Sequence, residues 1–446
     1  MEKIAIIGAG ITGLTTAFYL KKRNIPFHIF DTASHIGGVI QTKKKNGFVF
    51  ETGPNTGVIS KPEVMELFED LNALDLLETA PDLALNRFIF KTNKLHALPS
   101  GPLQGLKTPL FSLKNKIGIL FEPFRKKGTN PEENLTSFVK RRLGTSILNY
   151  AVDPFVSGVY ASTPDEIIPK YALPKLYALE EKYGSFILGS VHKMKEKKSE
   201  RDKKATKKTF SACGGLSSLV DKLIEKIGRE NITLEADNLF VLRNNACFRV
   251  HYKNQEEDFY KVIFTGGANT LLNAFPFLEK ENVSEAFQVH YNPVIEVAVG
   301  FNKYDGFPLN GFGALMPSIE KRDILGVLFM SSLFKNRAPE NGAMLAVFMA
   351  GSRHKEFLEL SDAEIFEKVK KELMLSLKLK EFSPDLFEIT RHKNAIPQYD
   401  TLSKARFEAY DKIEKQFPGL ILGGNGINGI GMGDRIAQGK KLAEKV

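Results

Sequence analysis

One feature near the start of the chain restricts its fold more than any other, namely a glycine-rich turn between an apolar strand and a helix. Residues 3–7 predict a buried strand, and the helix after the turn is predicted to run to about Lys22. The turn contains Gly8, Ala9, Gly10, Ile11, Thr12 and Gly13. In such a motif the first glycine allows the tight turn, the second lets the backbone approach a diphosphate, and the third lets helix and strand pack closely. The pattern predicts a βαβ unit that binds a dinucleotide.

An acidic residue at the end of the next strand supports this prediction. Residues 27–31 predict a second strand, and its last residue, Asp31, follows Gly13 by eighteen positions. A carboxylate at this point accepts hydrogen bonds from ribose hydroxyls, and the N-terminus of the helix suits the diphosphate. Strand, helix and acid occur together in the required order, which makes the motif specific.

The composition is that of a globular protein in a reducing compartment. The chain has 446 residues, enough for two or three domains. Its two cysteines, Cys213 and Cys247, exclude a disulfide framework, and its eight histidines show no metal-ligand spacing. No apolar run reaches the roughly 18 residues of a membrane-spanning helix, and the apolar N-terminal stretch belongs to the glycine motif. We therefore expect a cytoplasmic protein without a metal.

Two further glycine-rich turns distinguish between the dinucleotides. The first contains Gly37, Gly38 and Val39, and the second, after an apolar strand, contains Gly53, Pro54, Asn55 and Thr56. Glycines at these points let the backbone approach a flat, uncharged ring system. The order of the turns resembles the flavoprotein amine oxidase superfamily. The resemblance implies FAD, with Gly38, Val39 and the four residues 53–56 as binding residues. We expect the FAD to be bound noncovalently, because no flavin-linking histidine or cysteine stands out in the glycine turns at the two ends of the chain.

The C-terminal part predicts the other side of the same site. An apolar strand, 420–422, leads into Gly424 and Asn425. Ile430, Gly431 and Met432 then precede a helix predicted over 435–446. A helix N-terminus beside a glycine-rich turn suits the polar edge of an isoalloxazine and the negative charge of a reduced flavin. Both ends of the chain are thus predicted to build one cofactor site.

We predict an α/β fold with a Rossmann-type FAD-binding domain that is discontinuous in sequence, an α+β substrate-binding domain and a helical insertion. The FAD-binding domain comprises 1–84, 210–289 and 395–446, the substrate-binding domain comprises 85–100 and 290–394, and the insertion comprises 101–209. Residues 210–216 are predicted to begin a helix that continues to 227. Strands predicted at 232–234, 239–242 and 261–264 return the chain to the FAD-binding domain.

Within that superfamily the chain resembles the protoporphyrinogen oxidase family over nearly its whole length. The resemblance is carried by blocks at 86–99, 153–161, 311–313, 325–339 and 395–399. It implies oxidation of protoporphyrinogen IX to protoporphyrin IX in haem biosynthesis, by successive hydride transfers to flavin, with oxygen or another acceptor reoxidising it. Such chemistry needs apposition of substrate and flavin more than an acid or a base. No catalytic side chain is therefore assigned.

The resemblance also implies individual contacts. Arg87 would hold a propionate in a bidentate manner, Gly158 would leave room for the flat macrocycle, and Phe329 would pack on a pyrrole face. Asn238 lies where a main-chain contact brackets the adenine. Asp31 stands where the family often has Glu, and Val39 where amine oxidases are commonly basic, so a contact at Val39 is expected to use the backbone alone.

The net charge of +10 is concentrated in two segments. Residues 101–128 have a net charge of +5 and apolar side chains between the lysines, which favours peripheral contact with an anionic membrane. An amphipathic stretch that lines the substrate pocket is the alternative. Residues 193–208 have a net charge of +6 and predict a mobile surface loop, because lysines at this density cannot all be paired. No aromatic residues alternate with these lysines, so nucleic acid is not an expected partner.

Several alternatives to this function stay open. A sister enzyme would oxidise coproporphyrinogen III, which has four carboxylates instead of two. An amine oxidase or a carotenoid desaturase would have the same fold. A non-catalytic flavin-bound tetrapyrrole carrier would bind flavin and porphyrin without turnover. The resemblance also leaves a homodimer open.

Overall fold

The computed structural model describes residues 3–446, so the first two residues of the predicted cofactor domain lie outside it. Its strands, in chain order, are β1 (Ile4–Ile7), β2 (Phe27–Phe30), β3 (Thr42–Lys45), β4 (Phe48–Glu51), β5 (Gly57–Val58), β6 (Leu77–Thr79), β7 (Arg87–Lys91), β8 (Lys94–Ala97), β9 (Thr209–Ala212), β10 (Ile232–Thr233), β11 (Phe240–Asn244), β12 (Cys247–Tyr252), β13 (Gln255–Phe259), β14 (Lys261–Phe264), β15 (Tyr291–Phe301), β16 (Gly313–Leu315), β17 (Ile324–Phe329), β18 (Ala343–Ala350), β19 (Leu386–Pro397) and β20 (Leu420–Leu422).

The α-helices are α1 (Ile11–Lys22), α2 (Pro62–Asp70), α3 (Pro102–Lys107), α4 (Leu113–Leu120), α5 (Leu135–Arg142), α6 (Thr145–Ile147), α7 (Asp153–Tyr160), α8 (Pro169–Ala172), α9 (Pro174–Tyr183), α10 (Phe186–Lys195), α11 (Glu200–Lys203), α12 (Ser217–Ile227), α13 (Leu271–Ala274), α14 (Met330–Leu333), α15 (Asp362–Leu377), α16 (Ser403–Gln416) and α17 (Met432–Glu444). Helix α1 ends at Lys22, as predicted, and begins at Ile11, within the glycine motif and not after it.

The predicted strand β1 is the centre of a parallel five-stranded sheet in the order β10-β2-β1-β14-β20. Ile6 lies opposite Ile29 of β2 and Ile263 of β14. Helices α1, α2, α12 and α17 cover one face, and α13, α16 and the antiparallel sheet β11-β12-β13 cover the other. A parallel sheet buried on both faces explains why β1 is apolar throughout. Because the strands are parallel, their carboxyl ends meet at one edge.

The second large sheet has seven strands in the order β19-β15-β18-β17-β16-β7-β8. Its back face is covered by α15, which begins at the capping box of Ser361 and Glu364. Its front face is turned towards β4. Strand β19 continues to Pro397, which lies opposite Tyr291, so residues 395–397 extend this sheet. Our assignment of 395–397 to the FAD-binding domain is wrong, because ladder hydrogen bonds hold them in the seven-stranded sheet.

The insertion is helical, as expected, and one buried carboxylate connects its parts. Arg142 and Glu122 form an ion pair that is fully buried. Glu122 also accepts hydrogen bonds from the Ser185 hydroxyl (2.5 Å) and from the backbone N–H of Phe186 (3.0 Å), at the start of α10. We call residues 101–128 the α3–α4 segment, and these contacts fix its C-terminal part to α5 and α10. Among residues 3–446, no helix has both the length and the apolar character needed to cross a membrane.

One secondary-structure prediction is wrong. Residues 209–212 form the strand β9, which pairs with β5 and β6, instead of beginning the helix that follows. Its partners lie about 130 to 150 residues earlier in the chain, and Phe210 is buried between them and Phe68. The strand β9 arises from this long-range pairing, which local sequence patterns do not contain. The strand predicted at 239–242 is observed as β11, in the antiparallel sheet that covers one face of the parallel one.

The basic segment 193–208 is attached to the rest of the molecule through its second half. Residues up to Lys195 belong to α10, and α11 begins at the capping box of Ser199 and Asp202. Arg201 pairs with Glu63 (2.8 Å) and Glu66 (2.6 Å) of α2, and Lys204 pairs with Glu69. The prediction of an unpaired loop is therefore wrong for 200–204, since α2 supplies a row of carboxylates.

Candidate functional site

Four glycine-containing turns meet at the carboxyl edge of the parallel sheet, and we call residues 8–13, 37–38, 265–267 and 423–424 the glycine edge. Gly8 has a φ of +115°, and a Cβ atom on Gly13 would overlap its carbonyl oxygen. A Cβ atom on Gly424 would overlap the carbonyl oxygen of Gly266 in the same way. The N–H of Gly37 donates to the carbonyl of Ala9 (2.9 Å). Backbones therefore pack here at distances that no side chain permits.

Gly10 differs from the other glycines of this edge, because nothing lies within 4 Å of a Cβ atom built on it. The first hydrogen bond of α1 runs from Leu14 N–H to the Gly10 carbonyl (2.9 Å), so the amides of Ile11, Thr12 and Gly13 precede the intrahelical ladder. Amides in this position bind phosphate. The open space before Gly10 therefore fits the diphosphate of a dinucleotide.

Asp31 stabilises the same turn. Its carboxylate accepts hydrogen bonds from the backbone N–H of Ala9 (2.6 Å) and of Ala33 (2.8 Å). Each carboxylate oxygen keeps a further lone pair, so ribose hydroxyls can still bind there. The ribose contact stays a prediction, whereas the structural role in holding the glycine turn is visible.

The turns at 37–39 and 53–56 also lie together. A Cβ atom on Gly53 would overlap the carbonyl oxygen of Val39, and the Val39 side chain is 64 % exposed. Pro54 and Thr56 are half-buried, whereas Asn55 is buried. The Asn55 amide donates to the Gly53 carbonyl (3.1 Å) and to the carboxyl group of Glu296 (2.6 Å).

Glu296 is a buried acid that the sequence did not single out. It lies on the front face of β15, and burial raises its pKa to about 8, partly offset by the Asn55 hydrogen bond. Burial also raises the pKa of Glu51, which accepts hydrogen bonds from Leu216 N–H and from the Thr42 hydroxyl. Two acids with raised pKa values thus support the turn 53–56. Only side-chain contacts identify them, and no local sequence pattern does so.

The C-terminal loop completes the glycine edge. Asn425 accepts a hydrogen bond from the Tyr291 hydroxyl (2.8 Å), and Asp434 accepts one from the N–H of Gly431 (3.2 Å). Helix α17 begins at Met432, three residues earlier than predicted, because Asp434 caps its first turn. Met432 packs against the helices behind the parallel sheet, and Ile430 packs against the insertion.

Asn238 lies in an exposed turn close to Asp31. It has a φ of +55°, and the neighbouring Ala236 N–H donates to the Asp31 carbonyl (3.0 Å). Asn238 also borders a surface groove of about 810 Å³ beside α13. The adenine contact stays a prediction.

The strand register places Arg87 on the front face of the seven-stranded sheet. Arg87 lies opposite Gly313, which lies opposite Leu328. Its guanidinium is 5.2 Å from the centre of the Phe312 ring, and it has no ion-pair partner among the residues that the structure describes. Gly158 lies within α7, and a Cβ atom there would lie 2.6 Å from Leu315 Cδ2. The glycine therefore lets α7 approach the front face, and the space beside it is filled by Leu315.

Phe329 lies on the back face, which corrects its predicted role. It is 0 % exposed and packs in the core formed with α15, 6.4 Å from the Phe88 ring centre. A side chain without accessible surface cannot pack on a substrate. The half-buried apolar residues of the front face are Phe312, Leu315, Leu328 and Phe348. The sequence did not separate Phe329 from Leu328 because both faces of β17 are apolar.

Comparison with known proteins gives consistent matches over the whole chain. The family model for flavin containing amine oxidoreductase matches residues 11–446. Protoporphyrinogen oxidase 2 (chloroplastic/mitochondrial) of Arabidopsis thaliana is 29 % identical over 488 residues, covering 100 % of this chain and 94 % of that protein. Coproporphyrinogen III oxidase of Bacillus subtilis is 26 % identical over 466 residues, covering 98 % and 96 %.

A solved structure has the same fold. The crystal structure of a protein from Exiguobacterium sp. 255-15, assigned as a protoporphyrinogen oxidase, superposes with a TM-score of 0.83 at 22 % identity, covering 100 % of this chain and 98 % of that one. The reduced UDP-galactopyranose mutase superposes with a TM-score of 0.76 at 16 % identity, covering 100 % and 95 %. These structures share a fold that is used for different reactions.

The chain belongs to the flavin-containing amine oxidoreductase family. It is an FAD-dependent oxidoreductase of mixed α/β fold, as the sequence predicted. The open space before Gly10, the first amides of α1 and the close-packed turns of the glycine edge fit this cofactor.

Proposed function

We propose that the protein oxidises protoporphyrinogen IX to protoporphyrin IX in haem biosynthesis. The observation that carries the proposal is the end-to-end similarity to the Arabidopsis thaliana protoporphyrinogen oxidase, together with an apolar front face that bears one unpaired guanidinium, Arg87. A tetrapyrrole is a flat apolar ring with propionates at its edge. Such a ligand needs an apolar surface with few polar anchors.

Each oxidation removes a hydride from the substrate and releases a proton, and three such steps convert porphyrinogen into porphyrin. Bound FAD supplies the two-electron acceptor, and oxygen or another acceptor takes the electrons from it. We assign to Arg87 the orientation of a propionate, and to Phe312, Leu328 and Phe348 the contact with the ring and the exclusion of water.

Coproporphyrinogen III is the second candidate substrate, because the Bacillus subtilis relative is nearly as similar. It has four carboxylates and so requires more cations. On the same sheet, the Lys91 ammonium donates hydrogen bonds to the carbonyls of Pro109 (2.7 Å) and Leu110 (3.0 Å). Arg353 is half-buried, donates to the Met316 carbonyl (2.9 Å) and lies 3.6 Å from the Asp153 carboxylate. Because Lys91 and Arg353 already have partners within the protein, few cations remain for two further carboxylates. This favours protoporphyrinogen IX, the substrate with two carboxylates.

Anaerobic mixing of the FAD-loaded protein with each porphyrinogen tests the proposal. We expect protoporphyrinogen IX to bleach the visible flavin absorbance faster than coproporphyrinogen III, and we expect amines not to bleach it. Faster reduction by coproporphyrinogen III would favour the sister activity. Binding of both without reduction would indicate a carrier. Admission of oxygen then shows whether oxygen accepts the electrons, by restoring the yellow colour and forming hydrogen peroxide.

We also propose that the α3–α4 segment contacts an anionic membrane surface. Its exposed apolar side chains are Leu103, Leu106, Leu113, Ile117, Leu120, Phe121 and Phe124. Leu110 is fully buried and is excluded from this surface. Leu188, Val191 and Met194 of α10 extend it, since α10 is fixed to Glu122.

Co-sedimentation with vesicles tests this contact. We expect binding to vesicles that contain phosphatidylglycerol, reduced binding at high salt, and loss of binding in the variant Leu120→Asp/Phe124→Asp. The matched variant Leu74→Asp changes an exposed leucine of the cofactor domain and should bind as the unaltered protein does. Equal binding of all variants contradicts the contact. A homodimer stays a prediction for the same preparation, checked by its sedimentation coefficient.

A further inference from the structure

Two buried arginines lie behind the loop that joins β20 to α17. Arg406 of α16 is 0 % exposed and Arg435 of α17 is 7 % exposed. Arg435 donates to the carbonyls of Gly424 and Ile427 (2.7 Å for the latter), and Arg406 donates to the carbonyl of Gly426 (3.1 Å). Three carbonyls of one short loop are thus turned towards two guanidiniums. The loop is held from behind, and its first glycines, Gly423 and Gly424, belong to the glycine edge, where Gly424 packs on Gly266.

Neither guanidinium has a carboxylate within 4.0 Å among residues 3–446. The two nearby acids are engaged elsewhere, since Asp434 pairs with Lys61 (2.8 Å) and Asp400 with His290 (2.6 Å). The surrounding hydroxyls belong to Tyr399 and Tyr410, whose pKa values are raised by burial, so these groups stay neutral. Burial lowers the pKa of both arginines. Two positive charges are therefore buried without a carboxylate in direct contact, although Asp400 and Asp434 attract them from a longer distance, and a further anion supplied by a ligand would offset the cost of burial.

We propose that Arg406 and Arg435 stabilise the negative charge that bound FAD acquires on reduction. The proposal rests on the proposed function in one respect, namely that the loop 424–431 faces the flavin ring. The loop's carbonyls are turned away from the flavin because the two arginines bind them. The electrostatic potential at the flavin is then dominated by positive groups, namely the two guanidiniums and the first turn of α17. In a low-dielectric interior such charges act strongly on a group beside them. Both arginines are positioning residues, because they act through the loop.

The variants Arg435→Gln and Arg435→Lys of the full chain, loaded with FAD, test the proposal. We measure the two-electron midpoint potential with a reference dye and the dissociation constant of sulfite, which forms a negatively charged adduct with oxidised flavin. We expect Arg435→Gln to weaken sulfite binding at least tenfold and to lower the potential by about 30 mV, the equivalent of tenfold for a two-electron couple. Arg435→Lys keeps the charge and should stay within threefold. Arg249→Gln, an exposed arginine of β12, is the matched control.

Three outcomes would overturn the proposal. The first is an unchanged potential and sulfite affinity in Arg435→Gln. The second is an equal loss of affinity for oxidised and reduced FAD, which would assign the charges to the diphosphate. The third applies if Arg435→Gln does not fold, in which case the unaltered holoprotein is measured. A midpoint potential no higher than that of free FAD, together with the absence of sulfite binding, would then contradict the proposal. None of these measurements uses a porphyrinogen, so the result is independent of whether the proposed substrate is correct.

Discussion

At the glycine edge, backbones approach one another within distances that exclude a Cβ atom, whereas the front face of the seven-stranded sheet consists of side chains. The first region is specified by what its residues lack, since positions such as Gly13 and Gly424 have no room for a Cβ atom. The second is specified by which face of a strand a residue occupies. The comparison teaches that a backbone-built site leaves a strong sequence signal, while a site built from the face of a sheet leaves a weak one.

The largest effects are expected at the glycine edge. Two valine substitutions there separate its role in backbone packing from its role in binding the diphosphate. Gly13→Val should prevent folding, because its Cβ atom would overlap the Gly8 carbonyl. The Cβ atom of Gly10→Val has no described protein atom within 4 Å, so this variant should fold, but its side chain occupies the space of the diphosphate, so FAD binding should be abolished. Circular dichroism and flavin absorbance of both purified variants check this. A folded Gly10→Val that binds FAD normally would place the diphosphate elsewhere.

The two faces of the seven-stranded sheet are compared by neighbouring residues of β17. Phe329→Ala should lower the free energy of unfolding by about 3–5 kcal/mol, because it opens a cavity in the core beneath α15. Leu328→Ala should cost about 1–2 kcal/mol and raise the KM for porphyrinogen, because Leu328 is half-buried on the front face. Urea unfolding and steady-state kinetics measure both quantities. A Phe329→Ala variant that is stable but has a raised KM would return Phe329 to the substrate site.

Glu296 predicts a dependence of stability on pH. Its pKa of about 8 in the folded state lies above the ordinary value of 4.5, so the unfolded chain releases the proton first as the pH rises. The free energy of unfolding therefore falls between pH 4.5 and 8, by up to about 5 kcal/mol from this group. Glu296→Gln keeps the acceptor for Asn55 and removes this loss, so its advantage should be larger at pH 8 than at pH 5.

Urea unfolding at the two pH values measures the effect of Glu296→Gln. The exposed Glu367 of α15 provides the control, because Glu367→Gln should give the same difference from the unaltered protein at both pH values. An advantage of Glu296→Gln that does not grow with pH would mean that Glu296 is charged when buried.

Arg87→Ala should raise the KM for protoporphyrinogen IX roughly tenfold to a hundredfold, since a charged hydrogen bond contributes about 1.5–3 kcal/mol. A smaller loss in kcat is expected if the anchor sets the distance to the flavin. Porphyrinogen esters should be insensitive to the substitution. Lys94→Ala, on the exposed end of β8, is the matched control and should leave both constants unchanged. Unchanged kinetics with the free acid would remove the anchor role.

The smallest effect is expected in the basic segment 193–208. Arg201→Ala breaks two ion pairs with α2 but should lower the free energy of unfolding by less than about 1 kcal/mol, because the arginine is largely exposed. FAD binding should be unchanged. Thermal unfolding and flavin titration measure both, and a loss of flavin would connect this segment to the cofactor site.

The sequence predicted the backbone-built glycine edge well and the side chains on the faces of the seven-stranded sheet poorly. The end of α1 at Lys22 and the strand before Asp31 were predicted to within one residue, because the glycine motif restricts every position around it. The start of α17 was predicted three residues late, since Met432 and Gly433 resemble turn residues. Gly433 in fact lets α17 pack against Val58 and Val64. Strand β9 and the role of Phe329 were mispredicted because both depend on partners distant in the chain.

Helix α17 packs directly on α1, where the Thr16 hydroxyl donates to the Gly439 carbonyl (3.0 Å) and a Cβ atom on Gly439 would lie 2.6 Å from the Thr12 carbonyl oxygen. More than 400 residues separate these contacts in the chain. At a synthesis rate of about 5–20 residues per second, the ribosome takes roughly 20 to 90 s to make the partner of the first helix. During that interval the nascent βαβ unit exposes the apolar side of α1. Synthesis of α17, rather than emergence of the glycine motif, is thus the step after which the chain becomes able to hold its cofactor.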